Sequence, residues 1–318
     1  MTIPGGNGDS GWIDDLAGQP GGSEVLAALA ETTAVGPPPA LRERVLAEIS
    51  RRPRAGVEPA APSDLYRSRV AVLRRLLDEL EGDDWSAVVA PYGWTTHRLV
   101  AHLAVIEDYT ARQLGLTGAL PLVAGDPAAV DHLGLGAAEA DALATGAPGA
   151  TVARWWAAAS LIAEHVASAA FDPGAAVALH QWPFDAATAL VARAFELWTH
   201  GDDIRRATGR RLEEVPAAEL RTMSSSSVAG LPLLLALQPP AGEPPVVLTP
   251  TRLVLTGPGG GTFELGGPGP RANLLVADVV DYCRVVSRRL APDDLVSTRE
   301  GDGRLLSSLL SAARAIAL

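Results

Sequence analysis

The sequence predicts a mostly α protein, a four-helix bundle followed by a small α+β domain. Three features carry that prediction. Leu65, Val72, Leu73, Leu76, Leu77 and Leu80 recur at the three- and four-residue spacing of an amphipathic helix, and further helical stretches follow. Beyond residue 240, short Val, Leu and Thr runs bounded by Pro and Gly read as strands. Helical stretches then return. The chain accordingly divides into an N-terminal appendage (1–62), the bundle (63–212), a connector (213–240) and an α+β domain (241–318).

The appendage is rich in Gly, Pro and Ala, with helix-like pieces from Ser23 to Thr33 and from Ala40 to Arg51 split by the breaker G-P-P-P. Its P-P-P-A-L-R-E-R-V-L-A-E-I resembles the tail of anti-sigma domains, without the His and paired Cys that hold zinc there. From Ser63 the first bundle helix runs for about five turns to G-D-D-W. Thr95 is placed as the N-cap of a second, T-H-R-L-V-A-H-L-A-V-I-E-D-Y-T-A-R-Q-L, on which Leu99, His102, Leu103 and Ile106 share one face. Residues 115–149 are Gly- and Ala-rich and read as beginning in a loop. A third helix is expected from about Thr151 to Ala169 and a fourth from about Asp185. The connector holds a Ser run and the apolar L-P-L-L-L-A-L. In the last domain P-V-V-L-T-P, T-R-L-V-L-T and T-F-E-L-G read as strands, with G-P-G-G-G as a hairpin loop, and helices are expected over Asn273 to Leu290 and Gly303 to Ala317.

Charge and composition remove several function classes. A formal net charge of −11 disfavours nucleic acid, whose affinity rests on clustered positive charge. The single cysteine, Cys283, excludes an internal disulfide and a multi-Cys zinc site. No signal peptide is legible at the N-terminus, and no run approaches the ~20 apolar residues a membrane span needs, so a soluble cytoplasmic protein is the expectation. Every basic residue is Arg, which with abundant Ala, Gly and Pro reads as a high-GC bacterial source.

The chemistry concentrates in Arg193 to Gly209, R-A-F-E-L-W-T-H-G-D-D-I-R-R-A-T-G. Glu196 and His200 stand four apart and share a helix face, which is how a helix offers two ligands to one divalent ion. A third ligand must come from elsewhere, and His102 on a facing helix is the candidate. His102 also reads as a core histidine bonded to a backbone carbonyl, and Glu196 as a partner of Arg193. Asp203 is placed either to orient His200 or to pair with an arginine. Two imidazoles and a carboxylate suit a Zn2+-like ion, with coordination positions left for water or substrate. His132, His165 and His180 find no pairing, and Trp94, Trp182 and Trp198 read as packing residues.

Two runs then carry a resemblance. D-W-S-A-V-V-A-P-Y-G-W-T-T-H-R-L-V-A-H-L and R-A-F-E-L-W-T-H-G-D-D-I-R-R-A-T-G resemble the mycothiol-dependent maleylpyruvate isomerase family, within the DinB-like metal-binding bundles. The tail, V-A-D-V-V-D-Y-C-R-V-V-S-R-R onward, is similar to the sterol-carrier-like C-terminal domain of such proteins. The resemblance implies His102, Glu196 and His200 as metal ligands, mycothiol as thiol cofactor, and an arginine of the C-terminal domain at the active site, for which Arg288 and Arg289 are the nearest matches. It implies a thiolate that adds to a conjugated double bond, permits rotation and leaves, or a related thiol S-transfer to a small-molecule electrophile. The competing reading is a metal-binding regulatory or interaction protein without catalytic activity, docking a protein partner through residues 1–62; a third is a bundle without activity.

Overall fold

The first bundle helix, α1 (Pro62–Asp78), begins on a proline whose missing N–H costs nothing in the first turn. Leu65, Leu73, Leu76 and Leu77 are buried along it, as their spacing requires. In this computed structural model residues 57–90, 92–116, 135–179, 182–237 and 246–314 are described. The helix-like pieces before residue 52, the anti-sigma-like run, most of the expected loop over 115–149, the Pro-rich end of the connector, His132 and His180 lie outside them.

Both helices that carry candidate ligands start from a small hairpin and a side-chain cap. Strand β1 (Val88–Val89) pairs antiparallel with β2 (Trp94–Thr95), and the Thr95 hydroxyl accepts the Arg98 amide at 3.1 Å to open α2 (Thr96–Gln113). After α3 (Leu135–Ala144) and α4 (Pro148–Val166), β3 (Ala176–Leu179) pairs with β4 (Trp182–Asp185), and Asp185 accepts the Thr188 amide at 2.6 Å to open α5 (Ala186–Ala207). Helix α3 is a departure from the sequence reading. It is Ala-rich, so it offers no contrast of polar and apolar faces for periodicity to detect.

The bundle core joins Tyr66, Leu73, Leu99, Leu103, Trp155, Ile162, Leu190, Leu197 and Ile204. Helix α5 uses a second face as well. Val191, Ala194, Phe195 and Trp198 enter a core shared with the C-terminal elements, so α5 is packed from both sides.

The segment read as a connector carries a 21-residue helix, α6 (Ala217–Leu237). Contrary to the expectation for apolar runs, α6 is long and apolar enough to cross a membrane by length and composition alone. Leu220, Met223, Val228, Leu231 and Leu235 nevertheless lie buried in the shared core.

A four-stranded sheet follows, ordered β6-β5-β7-β8. Its strands are β5 (Thr251–Thr256), β6 (Gly261–Leu265), β7 (Asn273–Asp278) and β8 (Ser297–Glu300). β5 and β6 form the expected hairpin, and β5 and β7 run parallel. Gly259 in the hairpin turn has φ 79°, and a Cβ there would lie 2.4 Å from the Ala217 carbonyl oxygen, so only glycine lets the turn seat on α6. The run P-V-V-L-T-P forms no strand among its described residues, 246–250.

The helix expected over Asn273 to Leu290 is corrected. Its first third is the strand β7, and only Val279–Val286 is helical, as α7, with Asp278 capping it by accepting the Val280 amide at 2.8 Å. Five of the six β7 residues are buried, so the run lacks the alternation that marks a half-buried strand. Helix α8 (Gly303–Ala313) closes the described chain.

Candidate metal and thiol site

Helices α2 and α5 bring His102, Glu196 and His200 together, with one potential ligand atom from each lying within 4.8 Å of the others. His102 is half-buried, and its ring meets that of His200 edge-on at 5.6 Å between centroids. Burial, and next the neighbouring His200, hold the His102 pKa down to about 3, so its imidazole is neutral with a lone pair to offer.

His200 is held from the side facing the turn after α7. Its Nδ1 lies 3.4 Å from Asp203 Oδ2, one turn on along α5. Arg289, just past α7, donates to Asp203 Oδ2 at 2.5 Å and to Oδ1 at 3.3 Å, and its Nη2 also stands 3.2 Å from His200 Nδ1. Nδ1 cannot donate to Asp203 and accept from Arg289 at once. With Arg289 committed to the carboxylate, the tautomer protonated on Nδ1 leaves Nε2 as the donor atom for an ion. Burial works against the Asp203 charge, but the bonds from His200 and Arg289 outweigh it and keep its pKa below the usual carboxylate value.

The turn between β1 and β2 supplies the aromatic wall. Tyr92 stacks on Trp94 at 4.8 Å, with Trp94 5.6 Å from the His102 ring and Tyr92 5.8 Å from the His200 ring. Arg289 caps this pair at one end, donating to the Tyr92 hydroxyl at 2.8 Å, and Arg98 lies 4.3 Å over Trp94 at the other.

Glu196 is held from inside the bundle. Arg193 pairs with it and with Glu107 on α2, and Glu107 accepts the Tyr66 hydroxyl at 2.8 Å.

This domain is one that sequence comparison reads directly: residues 66–205 match the family described as the mycothiol maleylpyruvate isomerase N-terminal domain. The bundle is thus similar, over residues 66–205, to that domain family. Two relatives, both uncharacterized proteins of Mycobacterium tuberculosis (strains CDC 1551 / Oshkosh and ATCC 25618 / H37Rv), are 26% identical over 230 residues, covering 69% of this chain and 81% of theirs. The crystal structure of the mycothiol-dependent maleylpyruvate isomerase is similar in fold, with a TM-score of 0.50 at 18% identity over 74% of this chain and 91% of that one.

Within this maleylpyruvate isomerase-type bundle, the two arginines singled out from sequence are placed differently. Arg289 reaches the site. Arg288 is exposed, its Nε donating to the Arg314 carbonyl at 3.0 Å, and it takes φ 62° as the residue that ends α7. The Arg289 amide bonds the Arg284 carbonyl at 2.7 Å and the Arg288 amide bonds Val285 at 3.0 Å, a Schellman stop in which Arg288 fills the position usually given to glycine. That stop turns Arg289 back toward α5. Cys283 is buried in the shared core, where burial pushes its thiol pKa up, and it takes no part in the cluster.

Tyr66, Glu107 and Tyr92 went unread in the sequence. Tyr92 has a signal there, since A-P-Y-G-W immediately precedes the cap of the His102 helix. Tyr66 and Glu107 have none, being 41 residues apart and meeting only through packing.

Proposed function

We propose that this protein is a metal-dependent, mycothiol-using enzyme that isomerises, or transfers a thiol to, a small electrophile. The observation that carries this reading is the convergence of His102, Glu196 and His200 within 4.8 Å, beside an arginine delivered by the C-terminal domain. The donor set fits a Zn2+-like ion: two imidazoles, one of them held neutral by burial, and one carboxylate. Held by His102, Glu196 and His200, such an ion would supply Lewis acidity that lowers the pKa of a thiol beside it.

The chain's own groups complete the site. Asp203 orients His200, and Arg289 fixes Asp203. Tyr92 accepts from Arg289 and keeps its own proton, which it can donate to an oxygen of a bound ligand. Tyr92 and Trp94 give a flat apolar wall suited to a conjugated substrate, with the Arg289 charge at its edge for an anionic group.

Calorimetric titration with mycothiol tests the reading. Zinc-loaded protein is expected to bind the thiol and chelator-stripped protein to lose that binding, with turnover of maleylpyruvate following the same pattern. Equal thiol binding in both preparations would contradict it.

A further inference from the structure

Helix α5 places a buried arginine one turn before the candidate ligand carboxylate. The Arg193 side chain is 1% exposed, with Nη1 on Glu196 Oε2 and Nη2 on Glu107 Oε1 at 3.1 Å. The second oxygen of Glu107 accepts from Tyr66, and both of those residues are 0% exposed. Three helices thereby build one chain of hydrogen bonds that ends on Glu196. Taking such charges out of water is costly, and a well-packed apolar core is often at least as stable. A bundle interior made of Leu, Ile and Trp has that alternative at hand, so the charges call for an explanation beyond stability.

The geometry supplies one. Arg193 donates to Oε2 of Glu196, the carboxylate that would hold an ion together with His102 and His200. Arg193 alone would also weaken Glu196 as a donor, because its positive charge competes with the ion. Glu107 takes up part of that charge, and Tyr66 fixes Glu107 in place.

We propose that Tyr66, Glu107 and Arg193 are positioning residues that set the metal affinity of the His102–Glu196–His200 site, by dividing one guanidinium between a structural and a ligating carboxylate. The inference rests on the metal-site reading above and goes beyond it by assigning the affinity to residues that touch no ion.

Cobalt(II) titration of the full chain, followed by visible absorption and by competition with a chromophoric chelator, tests it beside thermal melting of the metal-free proteins. Glu107→Gln leaves Arg193 to Glu196 alone and is expected to weaken cobalt binding at least tenfold. The double variant Arg193→Gln/Glu107→Gln removes the competing charge and is expected to recover affinity to within about threefold of wild type. Tyr66→Phe, which removes one hydrogen bond and no charge, is expected to weaken binding about threefold and keeps the test open if Glu107→Gln does not fold. A purely structural role would lower the metal-free melting temperatures while leaving every cobalt affinity at the wild-type value, and that result overturns the inference alone. A double variant as weak as Glu107→Gln also overturns it. Wild-type protein that takes up no cobalt overturns the metal-site reading and the inference together.

Discussion

Two arginines serve the two candidate ligands of α5, and they are built into the molecule in different ways. Arg193 lies inside the bundle, on the same helix as Glu196, and answers to carboxylates from α2 and α5. Arg289 arrives from the turn after α7 and reaches His200 mainly through Asp203, with its side chain 10% exposed and a bond to a tyrosine at the surface. The inner arginine belongs to the folded bundle itself. The outer one comes from the turn after α7, an element that shares a core with α5. The pair teaches that one helix can couple a site to two different cores through the same chemistry.

The comparison breaks if the two arginines behave alike. Arg193→Leu strands Glu107 and Glu196 and should cost about 3–5 kcal/mol of stability in urea unfolding, the range for breaking a buried pair. Arg289→Leu, at a more open position, should cost about 1–3 kcal/mol by the same measurement while removing turnover. Equal losses of stability would mean that the outer arginine is structural too.

Asp203→Asn sharpens the outer half. It keeps the shape of the side chain but takes away the charge that fixes His200 and Arg289, so metal affinity should fall about 10–100-fold by chelator competition, the usual effect of losing an orienting partner. Unchanged affinity would leave Asp203 as an anchor for Arg289 only.

Acid should find the inner wall of the site next. The His102 pKa is held down to about 3 in the folded protein, from an ordinary 6.5. Between those values the unfolded chain binds the proton and the folded chain does not, so stability of the metal-free protein is present above about pH 6.5 and is lost as pH falls toward 3. Urea midpoints at a series of pH values check this, and His102→Asn should flatten the slope.

The smallest effect is expected at Arg288. Glycine suits its left-handed backbone, so Arg288→Gly should change stability by no more than about 1 kcal/mol and leave thiol binding intact. Loss of thiol binding in that variant would return Arg288 to the site.

Local signals were legible in proportion to how local their causes are. Thr95 caps the helix expected of it, because a cap is decided within four residues, and the fourth helix starts after Asp185, close to where it was expected. Helical spacing placed Glu196 and His200 on one face, but their reading as ligands needed the family resemblance as well, and the C-terminal hairpin was readable from its glycines. The run N-L-L-V-A-D-V-V-D-Y-C-R-V-V was not, because a strand buried on both faces and a buried helix share the same apolar texture. Sequence also could not choose between Arg288 and Arg289. That choice is made by the backbone turn after α7, which points neighbouring side chains in different directions. Tyr66, Glu107 and Arg193 meet only when α1, α2 and α5 pack, and no spacing within one helix announces such a contact.

The central claim is that α2 and α5 together hold one metal ion. Elemental analysis of the purified protein, beside His102→Ala and His200→Ala, tests it most directly. About one equivalent of zinc-like metal is expected in the wild type and almost none in either variant. Wild-type protein free of metal after reconstitution, or variants that keep a full equivalent, would contradict it.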